Sequence, residues 1–163
     1  MRIHPPVRER VVRRLALLLL LGPLLGACTD LGPVDERLVE LEARMAIWDS
    51  LGPASYVYAV ERLCFCGVEY RGPVRIRVED GVAVERLYVD TGAVVPPAIA
   101  GDFPTVEGLF GALRSAIEGG ADHVEVTYDP ALGLPIDFWI DFSEMTADEE
   151  MGMRVTEAVA PLP

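Results

Sequence analysis

The residues whose type and spacing most directly suggest chemistry are two cysteines, Cys64 and Cys66, separated by one residue. Side chains two apart on a strand share a face, so the two thiols of such a pair would be neighbours. They could form a structural disulfide or buried thiols, a strained local disulfide that responds to redox conditions, or two ligands of a soft metal. A zinc site normally needs four ligands, and the only histidine beyond residue 28 is His123, so carboxylates or a second chain would have to complete it.

A second candidate group consists of acidic residues in the C-terminal half of the chain. Their oxygens would suit calcium, but their spacing matches no EF-hand loop. Paired carboxylates could also serve glycoside hydrolysis, which needs a cleft and one acid of raised pKa. Strand alternation favours a solvated surface instead, and Asp129-Pro130 is expected to shape a turn, with metal binding as the weak alternative. The group comprises Asp129, Asp137, Asp141, Asp148, Glu149 and Glu150.

The third cysteine, Cys28, stands at the end of a segment with the three zones of a secretory signal. Five arginines precede an apolar run at residues 15–21, and residues 24–27 end in small side chains directly before the cysteine. This pattern resembles a bacterial lipobox, in which the signal is cut before a cysteine whose thiol carries a diacylglycerol. The alternatives are an uncleaved anchor helix or a signal that is cut elsewhere. We predict a lipoprotein signal peptide over residues 1–27, lipidation of Cys28 and a short tether over residues 28–32.

Lipidation of Cys28 predicts that the protein is anchored to a membrane of the cell envelope. The tether is only about four residues long, which reaches on the order of 13 Å when extended, so the domain would stay near the membrane. In Gram-negative bacteria, an aspartate directly after the cysteine retains a lipoprotein in the inner membrane. Thr29 stands there instead. This favours the outer membrane, facing the periplasm, and in other bacteria the outer face of the cell membrane.

The charge balance excludes several classes of partner. Without residues 1–27 the chain holds 9 basic and 25 acidic residues, so its net charge falls from −12 to about −16. Such an acidic domain has no electrostatic footprint for nucleic acid. The sequence contains no lysine, no P-loop and no dinucleotide fingerprint, and we expect no cofactor. It also lacks the G-x-S-x-G motif of a serine hydrolase, so His123 is expected to be a half-exposed strand residue.

The hydrophobic pattern predicts which elements must position these residues. Apolar side chains recur at steps of three and four from Pro33 to Leu51 and after Thr105, which indicates two helices. Alternating and β-branched runs indicate strands at residues 55–66, 68–79, 82–90, 123–128, 135–142 and 151–159. This helix-βββ-helix-βββ order predicts an α+β fold. We expect an antiparallel β-sheet of about six strands with two helices packed on one face, as a single domain over residues 33–163.

Several short islands of sequence form a set that is more specific together than any one of them alone. The islands are Ser55-Tyr56-Val57-Tyr58, Cys64-Phe65-Cys66, Arg71-Gly72-Pro73-Val74, Thr105-Val106 with Leu109-Phe110, Tyr128-Asp129-Pro130 with Gly133 and Pro135, Ile140-Asp141, and Asp148-Glu149-Glu150. Together they resemble the bacterial lipoproteins of domain-of-unknown-function family 6174, over a region from about Trp48 to Thr156. The resemblance implies a secreted, lipid-anchored, single-domain protein, and the family brings no assigned activity.

These patterns predict a non-enzymatic envelope protein whose domain binds another protein or an envelope component. A redox-sensitive or metal-binding module centred on Cys64 and Cys66 is the second hypothesis, and a carboxylate hydrolase is the third. Three aromatic residues, Tyr56, Tyr58 and Trp139, could present a binding surface, but core packing is the favoured explanation for them.

Overall fold

A computed structural model describes residues 35–146 and 148–163, and its elements follow the predicted order. Helix α1 spans Glu36–Leu51 and helix α2 spans Val106–Glu118. The strands are β1 Tyr56–Leu63, β2 Val74–Glu79, β3 Val82–Tyr88, β4 His123–Tyr128, β5 Pro135–Asp141 and β6 Met151–Pro161. Two short 3₁₀ helices, Val68–Tyr70 and Ala100–Asp102, lie in the connections.

The six strands form one antiparallel sheet in the order β3-β2-β1-β6-β5-β4. In the first half the chain starts at the centre of the sheet and moves outward to the edge. In the second half it starts at the opposite edge and returns to the centre. The two halves are joined by the pairing of β1 with β6, in which Glu61 lies opposite Arg154. The predicted α+β fold class is confirmed.

Both helices pack on one face of this sheet, as predicted. Strand β2 shows the two faces most clearly, because Val74, Ile76 and Val78 are fully buried and the residues between them are exposed. The helices contribute Leu41 and Phe110 to the same core cluster. Burial of these apolar side chains is the main favourable term that holds the two layers together.

A polar network at the edge of the core fixes the positions of α1, β1 and α2. The Tyr56 hydroxyl donates to Glu107 Oε2 and accepts from the Val106 N–H, both at 3.0 Å. The indole N–H of Trp48 donates to Glu107 Oε1, also at 3.0 Å. The Tyr58 hydroxyl donates to the carbonyl of Pro104. These tyrosines therefore carry structural roles and are not available as an exposed aromatic surface.

Three boundaries differ from the sequence-based expectation. Helix α1 begins later than Pro33 suggests, because Asp35 is the N-cap and its carboxylate accepts from the Arg37 N–H at 2.9 Å. Strand β1 ends at Leu63, so the two cysteines lie beyond it. Strand β2 begins only at Val74, because Pro73 has no N–H for the ladder and Gly72 adopts a φ of 91°.

In the part of the chain that the structure describes, no helix is both long and apolar enough to cross a membrane. The predicted signal peptide, the lipidation site Cys28 and the tether lie outside the described residues.

Candidate functional site

The Cys64–Cys66 loop projects from the end of β1 at one end of the sheet. The two cysteines form a disulfide, with their Cα atoms 5.3 Å apart. Phe65 lies between them and its side chain is 89% exposed. Because each sulfur is bonded to the other, neither presents a thiolate to a metal ion. The disulfide therefore flanks an aromatic side chain that lies in solvent and does not pack against the core.

A groove of about 530 Å³ lies beside this loop. Its apolar walls are Leu63, Val68 and Trp139, and Arg62 and Arg71 supply positive charge. We call this concavity the tip groove. A second concavity of about 370 Å³ adjoins it, and Val68 lines both. Val68 is 73% exposed and Trp139 is 38% exposed, so two large apolar side chains border the tip groove, one from a 3₁₀ helix and one from β5.

Trp139 occupies its place because the neighbouring strand has no side chain there. It lies on the face of β5 that the helices leave uncovered, directly opposite Gly152 of β6. A Cβ on Gly152 would come within 2.7 Å of Trp139 Cε3 and within 2.7 Å of the Phe138 carbonyl oxygen. Gly152 therefore allows the indole to lie over β6 towards the tip groove.

The charged side chains of the tip groove differ in whether they have an ion-pair or hydrogen-bond partner. The Arg62 guanidinium contacts Asp102 through Nη1 at 2.7 Å, but its Nε is buried and has no hydrogen-bond partner among the described residues. The carboxylate of Glu61 also lines the groove, and Arg154 lies 3.5 Å from it. Arg71 is exposed at the rim, where it also borders the disulfide loop.

Three of the six acidic residues considered as metal ligands are each engaged separately, whereas Glu149 Oε1 is buried without a hydrogen-bond partner among the described residues. Asp129 Oδ1 accepts from the Ala131 and Leu132 N–H groups at 2.8 and 2.7 Å, which shapes the β4–β5 turn. Asp137 pairs with Arg154 at 2.6 Å. Asp141 Oδ1 accepts from the Ser143 N–H at 3.0 Å. Across residues 35–146 and 148–163, no three His, Cys, Asp or Glu side chains lie close enough together to hold a metal ion.

His123 lies at the start of the edge strand β4, where its Nε2 is 3.1 Å from Glu125 Oε1 and both side chains are exposed. It is far along the sheet from the cysteines, since β4 and β1 are separated by β5 and β6. The sequence-based picture of His123 as a strand residue matches this position, and the structure does not bring it to the disulfide.

Sequence reasoning identified the cysteines and Trp139 but not the residues that surround them. Val68 and Arg71 were expected in a strand, and the structure places them in and directly after a 3₁₀ helix. The available signal was the island at Arg71-Gly72-Pro73, since a Gly-Pro step interrupts a strand. Cys64 and Trp139 lie near each other only because β6 pairs with both β1 and β5. Their separation along the sequence gives no sign of this proximity.

Comparison with known proteins gives one match. The model of a family of unknown function, DUF6174, matches residues 40–160, which include every strand of the sheet except the last residue of β6. No curated protein matches, and no solved structure matches. Since the matched region covers more than half of the sequence, the chain belongs to the DUF6174 family of unknown function.

Proposed function

We propose that this protein is a lipid-anchored component of the bacterial cell envelope whose α+β domain is a non-enzymatic binding module. We further propose that it binds an envelope protein through the tip surface, which we define as Phe65, Val68, Arg71 and Trp139. The observation that carries the proposal is the 89% exposure of Phe65, held outward between two bonded cysteines beside a groove. Aromatic and arginine side chains at the centre of an interface supply much of its binding energy.

Apolar residues are also exposed elsewhere on the domain, which is normal for a protein surface. Val39 on α1 and Leu51 at its end are examples. At the tip surface, by contrast, the exposed apolar side chains border adjoining concavities and accompany an exposed arginine. An apolar patch with a polar rim is typical of an interaction site.

The anchor is tested with Cys28→Ala in the native host. We expect the variant to lose the lipid and to appear unprocessed or in the aqueous phase of a detergent partition, with Thr29→Ala as the control that stays membrane-bound. Unchanged detergent partitioning of Cys28→Ala would contradict the lipid anchor.

The binding face is tested by cross-linking the native protein in its own envelope and identifying what it captures. Phe65→Ser and Val68→Ser should lose a specific partner that wild type captures. Val39→Ser is the matched control, because it makes an exposed side chain on α1 equally polar and should retain the partner. Equal capture by all four proteins, or equal loss in the control, would refute the tip surface as the binding face.

A redox response of the loop is a second candidate function, and the bond between Cys64 and Cys66 is the observation that favours it. A ring closed over three residues restricts the unfolded chain little, by about 1.6 kcal/mol, whereas a 15-residue loop gives about 3 kcal/mol. Its reduction would therefore leave the domain folded and would release Phe65. In that reaction a thiolate of an external dithiol attacks one sulfur, and the second thiol resolves the mixed disulfide. The dithiol is oxidised and Cys64 and Cys66 become thiols.

This second candidate is tested by repeating the capture after dithiothreitol treatment, with alkylation and intact mass to count free thiols. We expect reduction to weaken capture by wild type and to have no effect on a Cys64→Ser/Cys66→Ser variant. Identical capture by the reduced and oxidised wild type would exclude a redox response.

A further inference from the structure

The arginines of this acidic domain are almost all neutralised by neighbours. Of the nine arginines in residues 35–163, seven lie within 4.0 Å of a carboxylate oxygen. Arg86 is half-buried and its Nε donates to the Phe103 carbonyl at 2.7 Å. Arg71 is exposed, and within the described ranges its side chain has neither an ion pair nor a hydrogen bond. Over the same residues the chain holds 24 acidic side chains, so an arginine that is left without a carboxylate is unusual.

A second unmatched donor lies on the same groove. Arg62 and Arg71 are on adjacent chain segments, since the Arg62 N–H donates to the Arg71 carbonyl at 2.6 Å. The Arg62 Nε–H is buried and has no acceptor in the part of the chain that the structure describes. Because that atom has almost no accessible surface, a ligand in the groove cannot contact it directly, and Arg62 contributes its positive charge instead. The tip groove therefore presents one guanidinium with hydrogen-bonding capacity to spare, that of the exposed Arg71.

The rest of the tip groove is apolar. Leu63 and Val68 form part of its wall, and the indole of Trp139 forms another part. Its volume of about 530 Å³ is within the range of roughly 300–1,000 Å³ that is usual for ligand sites. The carboxylate of Glu61, with Arg154 3.5 Å away, also lines the groove, so its lining residues carry a net charge of about +1.

We propose that the tip groove binds a carboxylate carried by an apolar segment of a protein partner, with Arg71 as its donor and the nearby Arg62 as a second positive charge. The apolar part of that segment packs against Val68 and Trp139. A carboxylate matches a guanidinium in charge and in planar geometry. A singly charged group is favoured over phosphate or nucleic acid, because the acidic domain repels multiply charged anions. This inference rests on the proposed binding function and adds the chemistry of the ligand.

The test uses N-acetyl-phenylalanine as the probe and its amide, which has the same shape without the charge, as the matched neutral compound. The full-length protein in lipid nanodiscs carries 5-fluorotryptophan, and binding is followed by fluorine NMR. Trp139 should respond, while Trp48, which is buried between the helix and the sheet, serves as an internal control. We expect the acid to shift the Trp139 resonance and to bind about tenfold or more tightly than the amide.

Arg71→Gln should remove the preference for the acid. Arg77→Gln is the matched control, since Arg77 is an exposed arginine paired with Glu79 on β2, and it should keep the preference. Equal binding of acid and amide would overturn the carboxylate inference but leave the tip groove as an apolar binding site. Three other results would also overturn the carboxylate inference. They are displacement of the acid by an equal concentration of inorganic phosphate, retention of the preference for the acid in Arg71→Gln, and the absence of any response of the Trp139 resonance. The cross-linking experiment tests the proposed protein partner separately. A failure of the carboxylate inference can therefore be distinguished from a failure of the proposed binding function.

Discussion

The helix-covered core and the tip surface use the same kinds of residue in opposite ways. In the core, Tyr56 and Trp48 are buried and each polar group has a partner in Glu107 or Val106. At the tip surface, Phe65 is exposed and Arg71 has no carboxylate among the described residues. Folding explains the first arrangement completely, because buried polar groups must be satisfied. It does not explain the second, which is why we assign function to the tip surface.

Replacing one phenylalanine in each region should show the largest difference. Phe110→Ala removes a side chain that is 1% exposed, so the free energy of unfolding should fall by about 3–5 kcal/mol. Phe65→Ala, the same change at the tip surface, should alter it by less than about 0.5 kcal/mol. Urea unfolding followed by circular dichroism measures both. A large loss of stability in Phe65→Ala would show that the loop belongs to the core and would weaken its assignment to binding.

Alkaline pH should lower the free energy of unfolding through the tyrosines of the core, and it should not change the charge of any residue of the tip surface. Burial raises the pKa of Tyr128 to about 12, and burial also raises the pKa of Tyr56 and Tyr58. In the unfolded chain these phenols ionise near pH 10. Because the folded-state pKa values are raised, their contribution to stability is fully present below pH 10 and is lost as the pH rises through 12 and beyond. The loss is at most about 1.4 kcal/mol per pH unit for each group, and smaller for the half-buried Tyr128.

This pH dependence is measured by urea unfolding at several pH values above neutrality, with tyrosinate absorbance recorded in parallel. Unfolding and tyrosine ionisation should occur together, and Tyr128→Phe should reduce the slope. Ionisation of all five tyrosines near pH 10 without any loss of circular dichroism would contradict the burial of these phenols.

Removing a single hydroxyl from each region should have a smaller effect. Tyr56→Phe leaves the Val106 N–H and Glu107 Oε2 without their partner, so we expect a loss of about 1–3 kcal/mol. Tyr88→Phe is the control beside the tip surface, where the hydroxyl donates to the Glu69 carbonyl at 2.7 Å in an exposed setting. Water can replace that bond, so the expected loss is under about 1 kcal/mol. Equal losses in the two variants would mean that the Tyr56 network is open to water.

Much of the fold could be predicted because periodicity reports local burial. Alternation in β2 predicted the buried positions Val74, Ile76 and Val78, and the turn at Asp80-Gly81 follows from the positive φ of both residues. Thr105, which precedes the apolar pattern of the second helix, is a residue type that caps helices, and its hydroxyl accepts from the Gly108 N–H at 3.3 Å. Hydrophobic periodicity could not locate the start of β2, because apolar residues continue on both sides of Gly72.

The sequence by itself determined the order of elements, the acidic charge and the proximity of Cys64 to Cys66, since each depends only on neighbours along the chain. The tertiary structure decided the sheet order, in which the chain leaves the centre in its first half and returns to it in its second. Only that order brings Trp139 to the groove beside Arg71 and Val68. The physical reason is that long-range strand pairing depends on how two layers bury their apolar faces together, and no local pattern records which strands will become neighbours.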